Sequence, residues 1–161
     1  MSLPRSVGSV EDQLSVIDSL IAAPFPERED TKTEHGWGGP GHRIAVLRAS
    51  RDFRDAPDLE PLTAAEEEIE ADLTALTDVL TARWGGPTTL DLWAHLGYDQ
   101  PDLPDTAGPE PLVSLAQMVF HLPVWRVPST GRWVGLTTAQ ADRELPIELL
   151  AAIGEESCLP D

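Results

Sequence analysis

One stretch constrains what the rest of this chain can fold into. Thr63-Ala64-Ala65-Glu66 has the form of a capping box, in which a hydroxyl and a carboxylate three positions apart satisfy each other's orphan amides. Behind it, Ile69, Leu73, Leu76 and Leu80 recur at three- and four-residue spacing, so they share one helical stripe. Gly85 and Gly86 supply a stop and Pro87 forbids continuation. A helix over 63–84 would run about six turns. An apolar stripe of that length has to be covered, and the short β-rich segments around it predict a sheet as the cover.

Those segments can be read one by one. Ser9 and Asp12 form a second capping box, and Val10, Leu14, Ile17 and Ile21 follow as a stripe ended by Pro24 and Pro26, which predicts a helix over 9–22. Residues 24–42, rich in Pro, Gly and charge, predict a long loop. Arg43–Ala49 is a short β-branched run that predicts a strand. Thr89–Leu96 alternates, with Leu90, Leu92, Ala94 and Leu96 on one side and Asp91, Trp93 and His95 on the other, as in a half-buried strand. Residues 97–111 hold four prolines and four acids and predict an exposed loop. Val113–Val127 predicts a long strand interrupted at Pro123, with a short helix at 113–118 as the alternative. Pro128-Ser129-Thr130-Gly131 is a turn, and Arg132–Leu136 the returning strand of a hairpin. Thr137 or Thr138 can cap a helical turn. Pro146, Ile147, Leu149, Leu150, Ile153 and Gly154 predict a last helix, with a frayed tail over 155–161. The expectation is one α+β domain over 1–161: a single-layer, mainly antiparallel sheet of about four strands with helices packed on one face.

Charge excludes some classes of function. The 161 residues carry a formal charge of −17, which repels nucleic acid and anionic lipid surfaces. Eleven acids against Arg83 alone fall within residues 61–110, so the charge is concentrated on the long helix and its neighbours. Lys32 is the only lysine beside ten arginines, a bias expected of GC-rich, bacterial-type coding. The single cysteine, Cys158, rules out an internal disulfide and a cysteine-based zinc site. Glu11, Asp12 and Asp18 interrupt the first apolar stretch, against a signal peptide, and no apolar run reaches the length of a membrane span. A cytoplasmic protein is the expectation.

No complete catalytic or cofactor signature is present, and the reading leans away from an enzyme, a metal or a cofactor. Gly36-Trp37-Gly38-Gly39-Pro40-Gly41 matches G-x-G-x-x-G, but the strand before and helix after that a phosphate cradle needs are missing. A flexible or ligand-covering loop is the better reading. His35 and His42 flank it without the further ligands of a metal site. Arg48, Arg51 and Arg54 are spaced to share a helical face and suit anions, with Asp52, Asp55 and Asp58 interleaved to neutralise them. Asp91 and His95 stand about 13 Å apart along a strand, too far for a direct acid–base pair. Glu66, Glu67, Glu68 and Glu70 complement the helix dipole and present an acidic face.

Two functional expectations follow. The first is an acidic protein-interaction domain of inhibitor, immunity or regulatory type that binds a basic protein partner, with some of the five tryptophans as anchors and self-association left open. The second is an enzyme or small-ligand binder with its site between the Asp91/Trp93/His95 face and the Gly-rich loop 36–41, aided by an arginine of the 43–54 cluster.

Overall fold

A computed structural model of the chain describes residues 9–28, 31–33, 36–50, 60–96, 112–116, 119–140 and 146–156; of residues 60–62, 95, 113 and 114 it describes the backbone alone. Helix α1 runs Val10–Ala22 from an N-cap at Ser9, and the expected capping box with Asp12 is formed, with bonds of 3.3 and 3.1 Å. Its inward face is Gln13, Val16, Ile17 and Leu20, rotated slightly from the expected stripe, so that Val10, Leu14 and Ile21 lie at the margin. Three carbonyls near its C-terminal end, those of Leu20, Ile21 and Ala23, accept hydrogen bonds from the Arg132 guanidinium, which also stacks 4.0 Å over the Phe25 ring. Carbonyls left over at a helix end favour such a cation.

Helix α2 spans Glu60–Trp84. It starts three residues before Thr63, so the Thr63–Glu66 capping box is a correction: Thr63 lies inside the helix. Pro61 is tolerated there because a first-turn amide has no partner within the helix. Ile69, Leu76 and Leu80 are buried and Leu73 packs beside them, as the spacing requires. Gly85, at φ +89°, closes the helix by donating to the Thr81 carbonyl at 2.9 Å.

Among the described residues seven strands form one sheet: β1 (Thr31–Lys32), β2 (Gly36–Gly39), β3 (His42–Ala49), β4 (Thr88–Asp91), β5 (His121–Val127), β6 (Arg132–Ala139) and β7 (Glu148–Glu155). The order across the sheet is β1-β2-β3-β7-β6-β5-β4 and every pairing is antiparallel. The α+β class and the antiparallel sheet agree with the sequence, but four strands is an undercount. Two of the extra strands come from the stretch expected as a long loop. Gly36–Gly39 pairs with His42–Ala45, and Pro40 and Gly41 (φ +78°) make the two-residue turn between them. The Gly-rich segment is neither a loop nor a cradle.

The third extra strand is β7, where a helix over 146–153 was expected. It lies between β3 and β6, buried on both faces, and therefore reads as a continuous apolar run without alternation. Gly154 faces the Trp133 indole across the β6–β7 pair, and that indole donates to the Glu155 carbonyl at 2.9 Å. Thr137 and Thr138 start no helical turn, because β6 continues to Ala139.

Helices cover both faces of the sheet, rather than the one face expected. Leu47, Trp125, Val134, Leu149, Ala151 and Ile153 face α1 and α2. Ile44, Val46, Leu122, Trp133, Leu150 and Ala152 face two five-residue helices, α3 (Leu92–Leu96) and α4 (Leu112–Ala116). The helical alternative at 113–118 is thus the correct one over the described residues 113–116, residues 117 and 118 lie outside them, and the strand begins only at His121. The expected strand Thr89–Leu96 turns into α3 at Leu92. Among the described residues no helix is long and apolar enough to cross a membrane. Residues 97–111, expected as a loop, and the part of the expected tail beyond Glu156 lie outside the described residues.

Candidate functional site

The most featured surface lies at one end of the sheet, under the N-terminal half of α2, and a backbone irregularity builds it. Along β3 the register with β7 shifts between Val46, opposite Leu150, and Arg48, opposite Leu149. Leu47 is the extra residue of a β-bulge. Leu47 and Arg48 then both face the α2 side, whereas strict alternation would send Arg48 to the opposite face. From there the Arg48 guanidinium donates to Asp72 Oδ2 at 2.9 Å and to Glu68 Oε2 at 3.1 Å. The same Asp72 oxygen accepts from the buried Gln13 amide of α1 at 3.0 Å. The result is a polar junction joining β3, α1 and α2.

Beyond Arg48 the end of β3 is pinned to the start of β7. The Ser50 amide donates to the Ile147 carbonyl and the Ile147 amide donates to Ser50 Oγ, both at 2.9 Å. Glu148, the first residue of β7, sits between Ala49 and Ala139 on the face away from α2. Partial burial raises its carboxyl above the ordinary value.

Two cavities flank α2 here, with the buried Ile69 as a wall common to both. On the β3 side, Arg48, Ser50, Ala65 and Glu68 enclose about 520 Å³. On the β6 side, Glu66, Glu70, Thr138, Gln140 and Ile147 enclose about 240 Å³. Glu66, Glu67, Glu68 and Glu70 are all exposed. Glu68 is paired with Arg48, while among the described residues neither Glu66 nor Glu70 has an ion-pair partner. Glu67 lines neither cavity.

The other sequence candidates are dispersed. Asp91 and Trp93 share no strand face: Asp91 Oδ1 accepts from the Ala94 amide at 3.2 Å as the cap of α3, and Trp93 lies within that helix. The Trp93 indole donates to the Ala116 carbonyl at 3.3 Å and meets Phe120 edge-on, with centroids 5.7 Å apart. His95 is the fourth residue of α3, described by its backbone alone. Five strand spacings separate β2 from β4, so the Gly-rich segment and Asp91 stand about 24 Å apart across the sheet. Arg51 and Arg54 lie outside the described residues, as do His35, Cys158 and the three interleaved aspartates. Trp125 and Trp133 are core residues, and Trp37, Trp84 and Trp93 are half-buried. Among the described residues the exposed large apolar side chain is Phe120, which sequence periodicity did not single out.

Sequence reasoning found the acidic residues, Asp72 among them, and Arg48, but missed the pairing of Arg48 with Asp72 and the part played by Gln13, Thr138 and Gln140. A buried glutamine within an apolar helical stripe is a signal for a polar partner, yet it does not name Asp72, 59 positions away. Among the described residues no group of three or more His, Cys, Asp or Glu could hold a metal ion. No protein-family model, curated protein or solved structure matches the chain.

Proposed function

We propose that the chain is a small acidic interaction domain, of inhibitor, immunity or regulatory type, whose docking surface for a basic protein is the N-terminal half of α2. One observation carries the reading. Glu66, Glu67, Glu68 and Glu70 are exposed on a helix that the sheet and Arg48 hold in place, and only one of the four is neutralised by a described cation. Such a fixed field steers a cationic partner and selects against acidic ones. Half-buried tryptophans contribute less to this surface than the sequence implies, so charge leads the recognition. The test is affinity capture from native lysate at about 0.05 M and about 0.5 M salt. A stoichiometric partner retained at the lower and released at the higher concentration supports the reading; recovery of none contradicts it.

A small-ligand binder is favoured by one observation, the roughly 520 Å³ cavity beside Arg48, which is within the usual range for ligand pockets. Against it, the Arg48 guanidinium is already spanned by two carboxylates. Stabilisation of wild type by phosphate or a dicarboxylate, lost in Arg48→Met, would favour this alternative.

A further inference from the structure

The smaller cavity has a composition suited to one kind of visitor. Its inner wall is apolar, made by Ile69 and Ile147, both buried. Its rim carries the carboxylates of Glu66 and Glu70, one helical turn apart, and opposite them Thr138 and Gln140 of the β6 end. Like charges at four-residue spacing cost a helix a few tenths of a kcal/mol. Among the described residues no cation pairs with either group to relieve that cost. Glu68 and Asp72 differ in having Arg48 between them.

We propose that this cavity receives a lysine or arginine side chain of the basic partner, its methylenes against Ile69 and Ile147 and its charged head between Glu66 and Glu70. The inference rests on the acidic-face reading above and sharpens it from a field to a pocket. The match is to a long amphipathic cation, because such side chains bury their stems and keep their heads at a polar rim. A bare divalent ion is a poor match: it takes six or more oxygens, and much of this lining is hydrocarbon. A neutral apolar side chain would leave two carboxylates facing each other without relief.

The probes are Nα-acetyl-arginine methylamide, Nα-acetyl-lysine methylamide and the uncharged Nα-acetyl-norleucine methylamide, titrated into the isotopically labelled full chain and followed by amide NMR shifts. Saturable shifts are expected at residues 66–70, 138–140 and 147 with at least one cation, and none with the norleucine compound. Glu66→Gln/Glu70→Gln should weaken the cation about three- to tenfold. Asp78→Asn, which removes a single exposed charge from the C-terminal half of the same helix, away from both cavities, should leave affinity unchanged. Equal weakening by Asp78→Asn, or non-saturating shifts along all of α2, overturns the pocket. If that happens while the salt-sensitive partner is still captured, the acidic-face reading survives the pocket's failure. If no such partner is captured, that reading falls as well.

Discussion

Replacing Gly154 with alanine probes the part of the fold that departs most from the sequence expectation. A Cβ at Gly154 would lie 2.5, 2.6 and 2.7 Å from Cζ2, Cε2 and Nε1 of Trp133. Ordinary contact begins near 3.4 Å, so the indole or the strand has to move by the better part of an ångström. Trp133 is fully buried and its Nε1 is held by the Glu155 carbonyl at 2.9 Å, so it has little room to give. Overpacking of this kind costs about 1–3 kcal/mol, and weakening the indole bond adds about 1 kcal/mol. The expected loss of about 2–4 kcal/mol lowers the melting temperature of a chain this size by roughly 4–16 °C. Urea denaturation followed by tryptophan fluorescence measures it. The decisive comparison is the same substitution in a Trp133→Leu background. With the indole gone, Gly154→Ala should be neutral or stabilising, because alanine disfavours the unfolded chain relative to glycine. A coupling of at least about 2 kcal/mol is expected. Equal costs in both backgrounds would refute the Trp133–Gly154 contact, and with it β7 as a central strand; a helix-terminating glycine would show no dependence on Trp133.

Two further predictions concern single side chains. Arg132→Met should cost about 1.5–3 kcal/mol through the bonds to the α1 carbonyls, and hydrogen exchange should show lost protection at residues 20–25 before any loss in α2. Glu148 holds its proton to higher pH in the folded chain than in the unfolded one, because burial raises its carboxyl above 4.5. Its contribution to stability is therefore undiminished below about 4.5 and falls as pH rises through the folded value. Glu148→Gln should gain on wild type as pH rises from about 4.5 through the raised folded value, read from urea midpoints, and a difference constant with pH would contradict the burial.

The elements readable from sequence are those whose physics is local. Helix α1 carries its own capping box, α2 a stripe repeated over several turns, and the β5–β6 hairpin its turn residues. What stayed hidden depends on partners far along the chain. Leu149–Ile153 satisfies helical spacing and a doubly buried strand equally well, and only insertion between β3 and β6 decides between them. Gly36–Gly39 lacks the side chains that announce a strand, and it becomes one because β3 offers an edge to pair with. Asp91 interrupts an alternating pattern by capping a helix, which alternation alone cannot signal. At the candidate site, the acidic residues were plain, whereas the bulge that turns Arg48 toward Asp72 and Glu68 is a matter of register between strands about a hundred residues apart.

The central claim is that the α2 carboxylates themselves dock a basic partner, and one comparison tests it most directly. The partner captured at low salt is titrated against wild type and against Glu66→Gln/Glu67→Gln/Glu68→Gln/Glu70→Gln, after melting curves establish that both are folded. Four exposed charges at a few tenths to about 1 kcal/mol each predict a loss of affinity of at least about tenfold and a shallower dependence on salt. An affinity and salt dependence unchanged by removing all four would leave the acidic face as solvation and contradict the account.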